Sequence, residues 1–209
     1  MSVLDQLKDC PIIPVLRKIP YVKSAGIIQA LYDGGIRAVE ITMDTENAED
    51  MIREAVATFS GRMLVGAGTV LTIEDCDRAM DAGAQFLVAP NFNYDVLSYA
   101  VEKNVPFIPG VFTPSEMVQA DQAGAAMVKL FPASTLGPGF IKDVKGPLGH
   151  IDILTTGGIT KETVRSYLDA GAVSVGAGSA LVRKEFLQRE DWAGLSAEVR
   201  GWLGGSVGM

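Results

Sequence analysis

Histidine and cysteine are scarce in this chain of 209 residues. The single histidine, His150, cannot build a zinc site that needs several imidazole ligands. A Ser-His-Asp hydrolase is excluded unless His150 is the base of its triad. The predicted position of His150 in a loop does not favour that role. Cys10 and Cys76 stand alone, without the spacing of a metal or redox motif. We therefore predict that both thiols are reduced and buried, and that the protein binds no metal.

Long apolar runs and clusters of basic residues are also absent. No uninterrupted apolar stretch reaches the roughly 20 residues that a transmembrane helix needs. The first residues lack the basic and then apolar layout of a signal peptide. The net charge is −7, with no concentration of lysine or arginine that could follow a phosphate backbone. We therefore predict a cytoplasmic protein with no membrane or nucleic-acid partner, which binds any anionic substrate at a local site.

The chain does contain a repeated pattern of a helix, a glycine and a short apolar run. It occurs in DGGIRAVEI (33–41), DAGAQFLVA (81–89), QAGAAMVKL (122–130) and DAGAVSVGA (169–177), with capping glycines Gly35, Gly83, Gly124 and Gly171. Each glycine stands where a left-handed residue ends a helix, and each apolar run has the length of a buried parallel strand. The glycines recur every 41 to 48 residues, so each interval has room for two βα units.

Four further strands complete the series. They are IIPVLR (12–17), LVGAGTV (64–70), VPFIPGV (105–111) and IDILTTGG (151–158). Eight strands that alternate with helices over short connections predict an α/β fold, a single (β/α)₈ TIM barrel formed by residues 1–209 with a short helix before the first strand. A doubly wound open sheet is the alternative, but it would require a glycine-rich turn after the first strand, which VLRKIP does not provide.

The alternation of side chains along a strand indicates which residues of the four repeats point into the barrel. Counting from each capping glycine gives three inward rows of four side chains, and the residues between these rows are almost all aliphatic. From the bottom of the barrel to its mouth, the rows are Ala38, Phe86, Met127 and Ser174, then Glu40, Val88, Lys129 and Gly176, then Thr42, Pro90, Phe131 and Gly178.

The middle row places two ionisable groups, Lys129 and Glu40, in a core that is otherwise apolar. A buried ion pair held for structural specificity would explain them, but both residues lie toward the C-terminal ends of their strands, where barrel enzymes carry out chemistry. A desolvated lysine presents a neutral amine that attacks carbonyl carbon, and a carboxylate beside it can move protons. We therefore predict that Lys129 forms a Schiff base and that Glu40 is its acid and base.

The loops at the mouth predict a site for an anionic substrate. Barrels often bind phosphate with the loops that follow their last two strands, here TTGGIT (155–160) and GAGSAL (176–181). The glycines of these loops let backbone N–H groups approach an anion, and the serine adds a hydroxyl. The candidate phosphate ligands are Gly157, Gly158, Gly178 and Ser179. Thr69 is expected at the mouth from the third strand, and Arg17 is the nearest candidate cation for a substrate carboxylate.

Seven motifs resemble the family of 2-keto-3-deoxy-6-phosphogluconate and 4-hydroxy-2-oxoglutarate aldolases, in the order in which that family carries them. They are VEIT (39–42), GAGTV (66–70), FLVAPNF (86–92), IPGVFTPSE (108–116), VKLFPA (128–133), TTGGI (155–159) and GAGSAL (176–181). The resemblance implies a class I, metal-free aldolase on a (β/α)₈ barrel, with no cofactor, and a homotrimer.

The resemblance also carries roles to individual positions. It implies that Lys129 is the Schiff-base lysine and Glu40 the general acid and base. The residues that it places around pyruvate are Thr69, Pro90 and Phe131, and those that it places around phosphate are Gly157, Gly158 and Ser179. One position departs from the pattern, because many members have arginine four residues after the glutamate, and this chain has Asp44. We infer that Arg17 holds the substrate carboxylate instead, oriented by Asp44.

The expected reaction is the reversible cleavage of a 2-keto-4-hydroxy acid to pyruvate and an aldehyde. The substrate would be 2-keto-3-deoxy-6-phosphogluconate, 4-hydroxy-2-oxoglutarate or both, and 2-keto-3-deoxy-6-phosphogalactonate is the alternative. Two other classes remain open from the residues: a sugar-phosphate isomerase or epimerase with Glu40 as base, and a barrel that binds sugar phosphates without catalysis.

Overall fold

Nine short parallel strands alternate with helices in a computed structural model, which describes residues 1–206. The strands are β1 (Ile12–Leu16), β2 (Ala38–Thr42), β3 (Leu64–Gly68), β4 (Leu87–Val88), β5 (Phe107–Ile108), β6 (Gly110–Val111), β7 (Val128–Leu130), β8 (Ile153–Thr156) and β9 (Ser174–Ala177). They form one sheet in the order β5-β4-β3-β2-β1-β9-β8-β7-β6. The result is the predicted α/β barrel.

The fifth predicted strand is two segments rather than one, so the eight expected strands appear as nine segments in the sheet. β5 pairs with β4 and β6 pairs with β7, and only Pro109 separates β5 from β6. Proline has no N–H to contribute to a strand ladder. Its carbonyl still accepts a bond of 2.8 Å from the Lys129 N–H, so the chain passes from one edge of the sheet to the other. The barrel therefore closes through residues 107–111.

Ten helices surround and close the barrel within the described residues. They are α1 (Val3–Lys8), α2 (Tyr21–Gly34), α3 (Ala48–Phe59), α4 (Ile73–Asp81), α5 (Tyr94–Glu102), α6 (Pro114–Gln122), α7 (Ala133–Lys145), α8 (Val164–Asp169), α9 (Lys184–Arg189) and α10 (Trp192–Ser206). Side-chain caps begin several of them, as where the Thr113 hydroxyl and the Glu116 carboxylate form a capping box at α6. None of these helices is long and apolar enough to cross a membrane.

The four glycines expected to end helices all have left-handed backbones. The φ angles are 112° at Gly35, 93° at Gly83, 94° at Gly124 and 109° at Gly171. A residue with a Cβ rarely adopts this conformation. Each glycine therefore reverses the chain from a helix to the next inner strand, which confirms the repeat read from the sequence.

The hydrophobic core has two layers, divided by the barrel wall. The outer layer, between strands and helices, includes the residues that lie between the inward rows, such as Val39, Leu87 and Val128. The inner layer holds the bottom row of the barrel and the residues around it. Its members are Leu7, Cys10, Ile13, Ala38, Leu64, Phe86, Val88, Ile108, Met127 and Leu154. Leu7 belongs to α1, so the short N-terminal helix closes the bottom of the barrel, and the predicted inward register is confirmed.

Candidate active site

Lys129 and Glu40 meet inside the barrel, above the apolar inner layer. Lys129 lies on β7 and Glu40 on β2, and their side chains are 2% and 1% exposed. The Lys129 Nζ is 3.8 Å from the Glu40 Oε1. Both residues occupy inward register positions, so strand geometry alone directs them to the barrel axis. The two groups predicted to share one layer are therefore in contact.

The Glu40 carboxylate has room but no hydrogen-bond donor. Neither of its oxygens has a hydrogen-bond partner within the described part of the chain, because the distance to Lys129 exceeds that of a hydrogen bond. Gly68 on β3 provides the space, since a Cβ at that position would overlap the Glu40 Oε1. A buried carboxylate without donors is costly and is uncommon outside functional sites. The arrangement leaves both oxygens available to a substrate.

An aromatic ring covers the amine on the side of the mouth. The ring of Phe131 lies 5.4 Å from the Lys129 Nζ, within the range of a cation–π contact. Phe131 directly follows β7, so its ring and the amine come from one stretch of chain. On the neighbouring strand β6, Gly110 pairs with Lys129 and lies so close to Pro90 that a Cβ on Gly110 would overlap the Pro90 carbonyl group. Pro90 therefore contributes to the wall of the barrel mouth near β6.

Arg17, Thr69 and Asp44 form a polar cluster at the ends of β1, β3 and β2. The Arg17 Nη2 donates to the Thr69 Oγ1 at 3.1 Å, and the Arg17 Nη1 is 3.5 Å from the Asp44 Oδ2. Thr69 has a φ of 57°, which is rare for a β-branched residue and is retained mainly where function requires it. The expectation that Asp44 pairs with Arg17 agrees with this geometry.

The glycine turns line a cavity of about 550 Å³ that opens at the mouth of the barrel. Gly157 and Gly158 have φ angles of 102° and 71°, so both positions require glycine. The Gly157 carbonyl accepts from the Ser134 N–H at 3.0 Å, and a Cβ on Gly158 would overlap the Ser134 side chain. Six of the predicted substrate-binding residues line this cavity: Arg17, Phe131, Gly157, Gly158, Gly178 and Ser179.

Several further residues of the cavity had no role assigned from the sequence, among them two lysines and a threonine. Lys18 and Lys184 both line it. Thr156, at the end of β8, also lines it, and its hydroxyl has no hydrogen-bond partner among residues 1–206. The only sequence signals were the position of Lys18 next to Arg17 and of Thr156 next to Gly157. Neither signal indicates that these residues share a cavity, because the packing of loops from separate strands determines which residues line it.

The remaining candidates for special chemistry lie away from this site. His150 is exposed and 3.6 Å from Asp121. Cys10 and Cys76 are free and buried, and burial raises the pKa of each thiol to about 11. The part of the chain that the structure describes contains no group of three or more histidine, cysteine or acidic residues that could hold a metal ion. That the protein uses no metal stays a prediction.

Fold and site together define a class: an α/β-barrel enzyme with a buried amine and carboxylate at the C-terminal ends of its strands. The chain matches the family Aldolase: KDPG and KHG aldolase over residues 3–197. It is 36% identical over 174 residues to 2-dehydro-3-deoxy-6-phosphogalactonate aldolase of Escherichia coli (strain K12), covering 83% of this chain and 85% of that one. It is 34% identical over 183 residues to KHG/KDPG aldolase of the same organism, covering 87% and 85%.

A solved structure extends the similarity to three dimensions. KDPG aldolase from Legionella pneumophila, with pyruvate captured at low pH as a covalent carbinolamine intermediate, superposes with a TM-score of 0.89. The two chains are 28% identical, and the match covers 96% of this chain and 97% of the other. The chain belongs to the KDPG and KHG aldolase family, and it is an aldolase of the carbon–carbon lyase class. This decides against the isomerase and the non-catalytic barrel.

Proposed function

We propose that this protein reversibly cleaves 2-keto-3-deoxy-6-phosphogluconate to pyruvate and glyceraldehyde 3-phosphate, 4-hydroxy-2-oxoglutarate to pyruvate and glyoxylate, or both. The observation that carries the proposal is the contact between Lys129 and Glu40 in the buried interior of the barrel. An amine and a carboxylate 3.8 Å apart can form an iminium ion and move protons around it.

The first half of the reaction forms the Schiff base. The Nζ of Lys129, after it passes a proton to Glu40, attacks the C2 ketone of the substrate and gives a carbinolamine. Glu40 supplies a proton to the departing hydroxyl, water leaves, and an iminium ion remains between C2 and Nζ. The two Glu40 oxygens without protein donors support this role, because they are available to the substrate and to water.

The second half of the reaction breaks the C3–C4 bond and then releases pyruvate from Lys129. The iminium ion accepts the electron pair of the C3–C4 bond, while the Glu40 carboxylate takes the proton of the C4 hydroxyl and the aldehyde leaves. Glu40 then protonates C3 of the enamine, and water hydrolyses the iminium ion to free pyruvate and Lys129. Every proton and the water that leave in the first half return here, so the protein ends unchanged.

The rest of the site divides between the two ends of the substrate. Arg17, oriented by Asp44 and Thr69, holds the carboxylate of the pyruvate half, and Pro90 and Phe131 form the walls around its methylene carbon. The residues proposed to bind phosphate are Gly157, Gly158, Gly178 and Ser179, supported by the shared cavity and by two left-handed glycines.

Stereochemistry at C4 leaves a second candidate, 2-keto-3-deoxy-6-phosphogalactonate. Its support is the identity of 36% to the galactonate aldolase, beside 34% to the KHG/KDPG aldolase. Cleavage rates with both phosphorylated epimers and with 4-hydroxy-2-oxoglutarate, measured by coupling pyruvate to lactate dehydrogenase, decide among the three. A kcat/KM that favours the galactonate epimer would overturn the gluconate assignment and leave the aldolase mechanism intact.

Chemical trapping tests the Schiff base directly. Incubation with pyruvate and sodium borohydride should reduce the iminium ion and fix a 1-carboxyethyl group on the Nζ of Lys129, which peptide mass spectrometry locates. Lys129→Met should give no adduct. The matched control, Lys142→Met, removes an exposed lysine of α7 and should leave trapping unchanged. An adduct on a different lysine would refute the mechanism.

A homotrimer and a cytoplasmic location complete the proposal. The trimer is supported by the family resemblance and by exposed apolar side chains after β3, β4 and β6: Leu71, Tyr94 and Phe112 are 44%, 62% and 37% exposed. Light scattering coupled to size-exclusion chromatography should give three times the chain mass of 22.2 kDa. A monomeric mass would refute the trimer. The cytoplasmic location stays a prediction of the sequence.

A further inference from the structure

Most basic side chains of this acidic protein have a partner, and the exceptions are informative. Of 18 lysines and arginines, nearly all contact a carboxylate, a carbonyl, a hydroxyl or an aromatic ring. Within residues 1–206, four have no such contact: Lys18, Lys142, Lys184 and Arg189. Two of the four, Lys18 and Lys184, line the same cavity at the mouth of the barrel.

The backbone places Lys18 at the cavity by a conformation that lysine rarely adopts. Its φ is 51°, and its N–H donates to the Thr45 Oγ1 at 2.9 Å. A left-handed residue with a side chain is strained and is retained where the surrounding structure enforces it. Lys184 approaches the same cavity from the other side, as the first residue of α9. Two exposed cations from separate parts of the chain thus share one opening.

A buried hydroxyl in this cavity independently indicates a ligand. Thr156 is 8% exposed, and its Oγ1 has no hydrogen-bond partner among the described residues. It faces Gly176, where a Cβ would overlap it, and both residues line the cavity. A buried hydroxyl without a partner costs free energy that a bound polar group would recover. The cavity therefore contains an unused hydrogen-bonding group at its base and unused positive charge at its rim.

We propose that Lys18 and Lys184 bind the terminal phosphate of the substrate and make the protein prefer phosphorylated 2-keto-4-hydroxy acids to 4-hydroxy-2-oxoglutarate. The proposal rests on the proposed function and deepens it. A phosphate monoester carries nearly two negative charges at pH 7. The glycine turns and Ser179 offer N–H and hydroxyl donors but no full charge, so two lysines supply the charge that is missing.

Substrate length explains why the lysines discriminate. In 4-hydroxy-2-oxoglutarate the second anion is a carboxylate on C5, directly beside the carbon that reacts. In the phosphorylated substrates the anion lies on the oxygen of C6, farther from Lys129 and toward the rim. Phe131, whose ring contacts the Lys129 Nζ, and both lysines line one cavity. The longer substrate is therefore the one expected to reach the lysines.

Single and double substitutions test the proposal. Lys18→Met and Lys184→Met should each raise KM for the phosphorylated substrate about tenfold with kcat unchanged, because each removes a contact far from the reacting carbon. KM for 4-hydroxy-2-oxoglutarate should stay within about twofold. Lys18→Arg and Lys184→Arg should retain most of the affinity for the phosphorylated substrate, because arginine keeps the positive charge. Lys142→Met is the matched control and should change neither substrate.

Inorganic phosphate separates recognition of the anion from recognition of the whole ester. Phosphate should inhibit the wild type competitively, and the variant Lys18→Met/Lys184→Met should need at least tenfold more for the same inhibition. The proposal would be overturned if the variants raised KM equally for both substrates, or if phosphate inhibited wild type and variant equally. Neither result would affect the evidence from cleavage and borohydride trapping for the aldolase mechanism. Failure of trapping in the wild type would instead refute the aldolase mechanism itself.

Discussion

The lower and upper halves of the barrel interior come from the same strands but differ in polarity and in packing. The lower half is buried and apolar, with Phe86 and Met127 at 0% exposure and Leu7 of α1 closing the end. The upper half buries Lys129 against Glu40 and then gives way to glycines and a cavity. Only Val128 lies between Lys129 on β7 and Met127, which directly precedes that strand, so one stretch of chain serves both halves.

The difference shows how the barrel divides stability and chemistry. Apolar burial contributes about 25 cal/mol per Å², so the lower half stabilises the fold. The upper half contains a buried ion pair, a donor-free carboxylate and a left-handed Thr69, each of which costs free energy. Substitutions in the lower half should therefore change stability, and those in the upper half should change activity. The predictions below test this separation.

Replacing both members of the ion pair has the largest expected effect. The variant Lys129→Met/Glu40→Met should lose all turnover above background, because no amine or proton carrier remains. Its free energy of unfolding should be unchanged or higher by about 1–4 kcal/mol, since an apolar pair replaces two desolvated charges. Pyruvate release and urea denaturation measure the two quantities. A loss of several kcal/mol would instead make the pair a structural element.

Truncating a side chain of the lower half should have the opposite effect, a loss of stability with the chemistry retained. Phe86→Ala removes a ring that is 0% exposed and should lower the free energy of unfolding by about 3–5 kcal/mol. Lys129 should still be trapped by borohydride in the folded fraction. Val22→Ala, at a side chain that is 87% exposed, is the control and should change stability by less than about 0.5 kcal/mol. Comparable losses for the two variants would contradict the assignment of Phe86 to the stabilising core.

A methyl group on β3 tests whether close packing positions the carboxylate. Gly68→Ala places a Cβ where the Glu40 Oε1 lies, so the carboxylate must move away from the reacting carbon. A displacement of about 1 Å can lower kcat about 10²-fold. Gly139→Ala is the control, because no atom lies within 4 Å of the added Cβ. Unchanged kcat in Gly68→Ala would mean that β3 does not set the position of Glu40.

The smallest effect concerns the thiol at the bottom of the barrel. Burial, with a smaller contribution from Asp9, raises the pKa of Cys10 from 9.0 to about 11. The thiolate is the reactive form, so a thiol reagent at pH 8 should label Cys10 only after unfolding. Because the unfolded thiol ionises first, its contribution to stability should be present below about pH 9 and lost as pH rises toward 11. Rapid labelling of Cys10 in the folded protein would show that the lower half is open to solvent.

Local patterns in the sequence predicted the helix ends and the facing of the strands. A glycine after a helix and a period of two within a strand depend on a few neighbouring residues. They gave the four left-handed glycines, the inward rows and the position of Lys129 and Glu40 in one layer. They missed the break at Pro109, because the fifth stretch reads as a single apolar run, and its pairing with both β4 and β7 involves distant residues.

By itself the sequence determined the barrel, its register and the placing of Lys129 and Glu40, the pair proposed to carry the chemistry, in one layer, because period and composition are local properties. Only the tertiary structure decided the 3.8 Å contact, the Arg17–Thr69–Asp44 cluster and the cavity that Lys18 and Lys184 share. These depend on how loops from separate strands pack at the mouth. No periodicity constrains that packing, since the loop residues obey turn geometry and mutual contact rather than a repeating pattern.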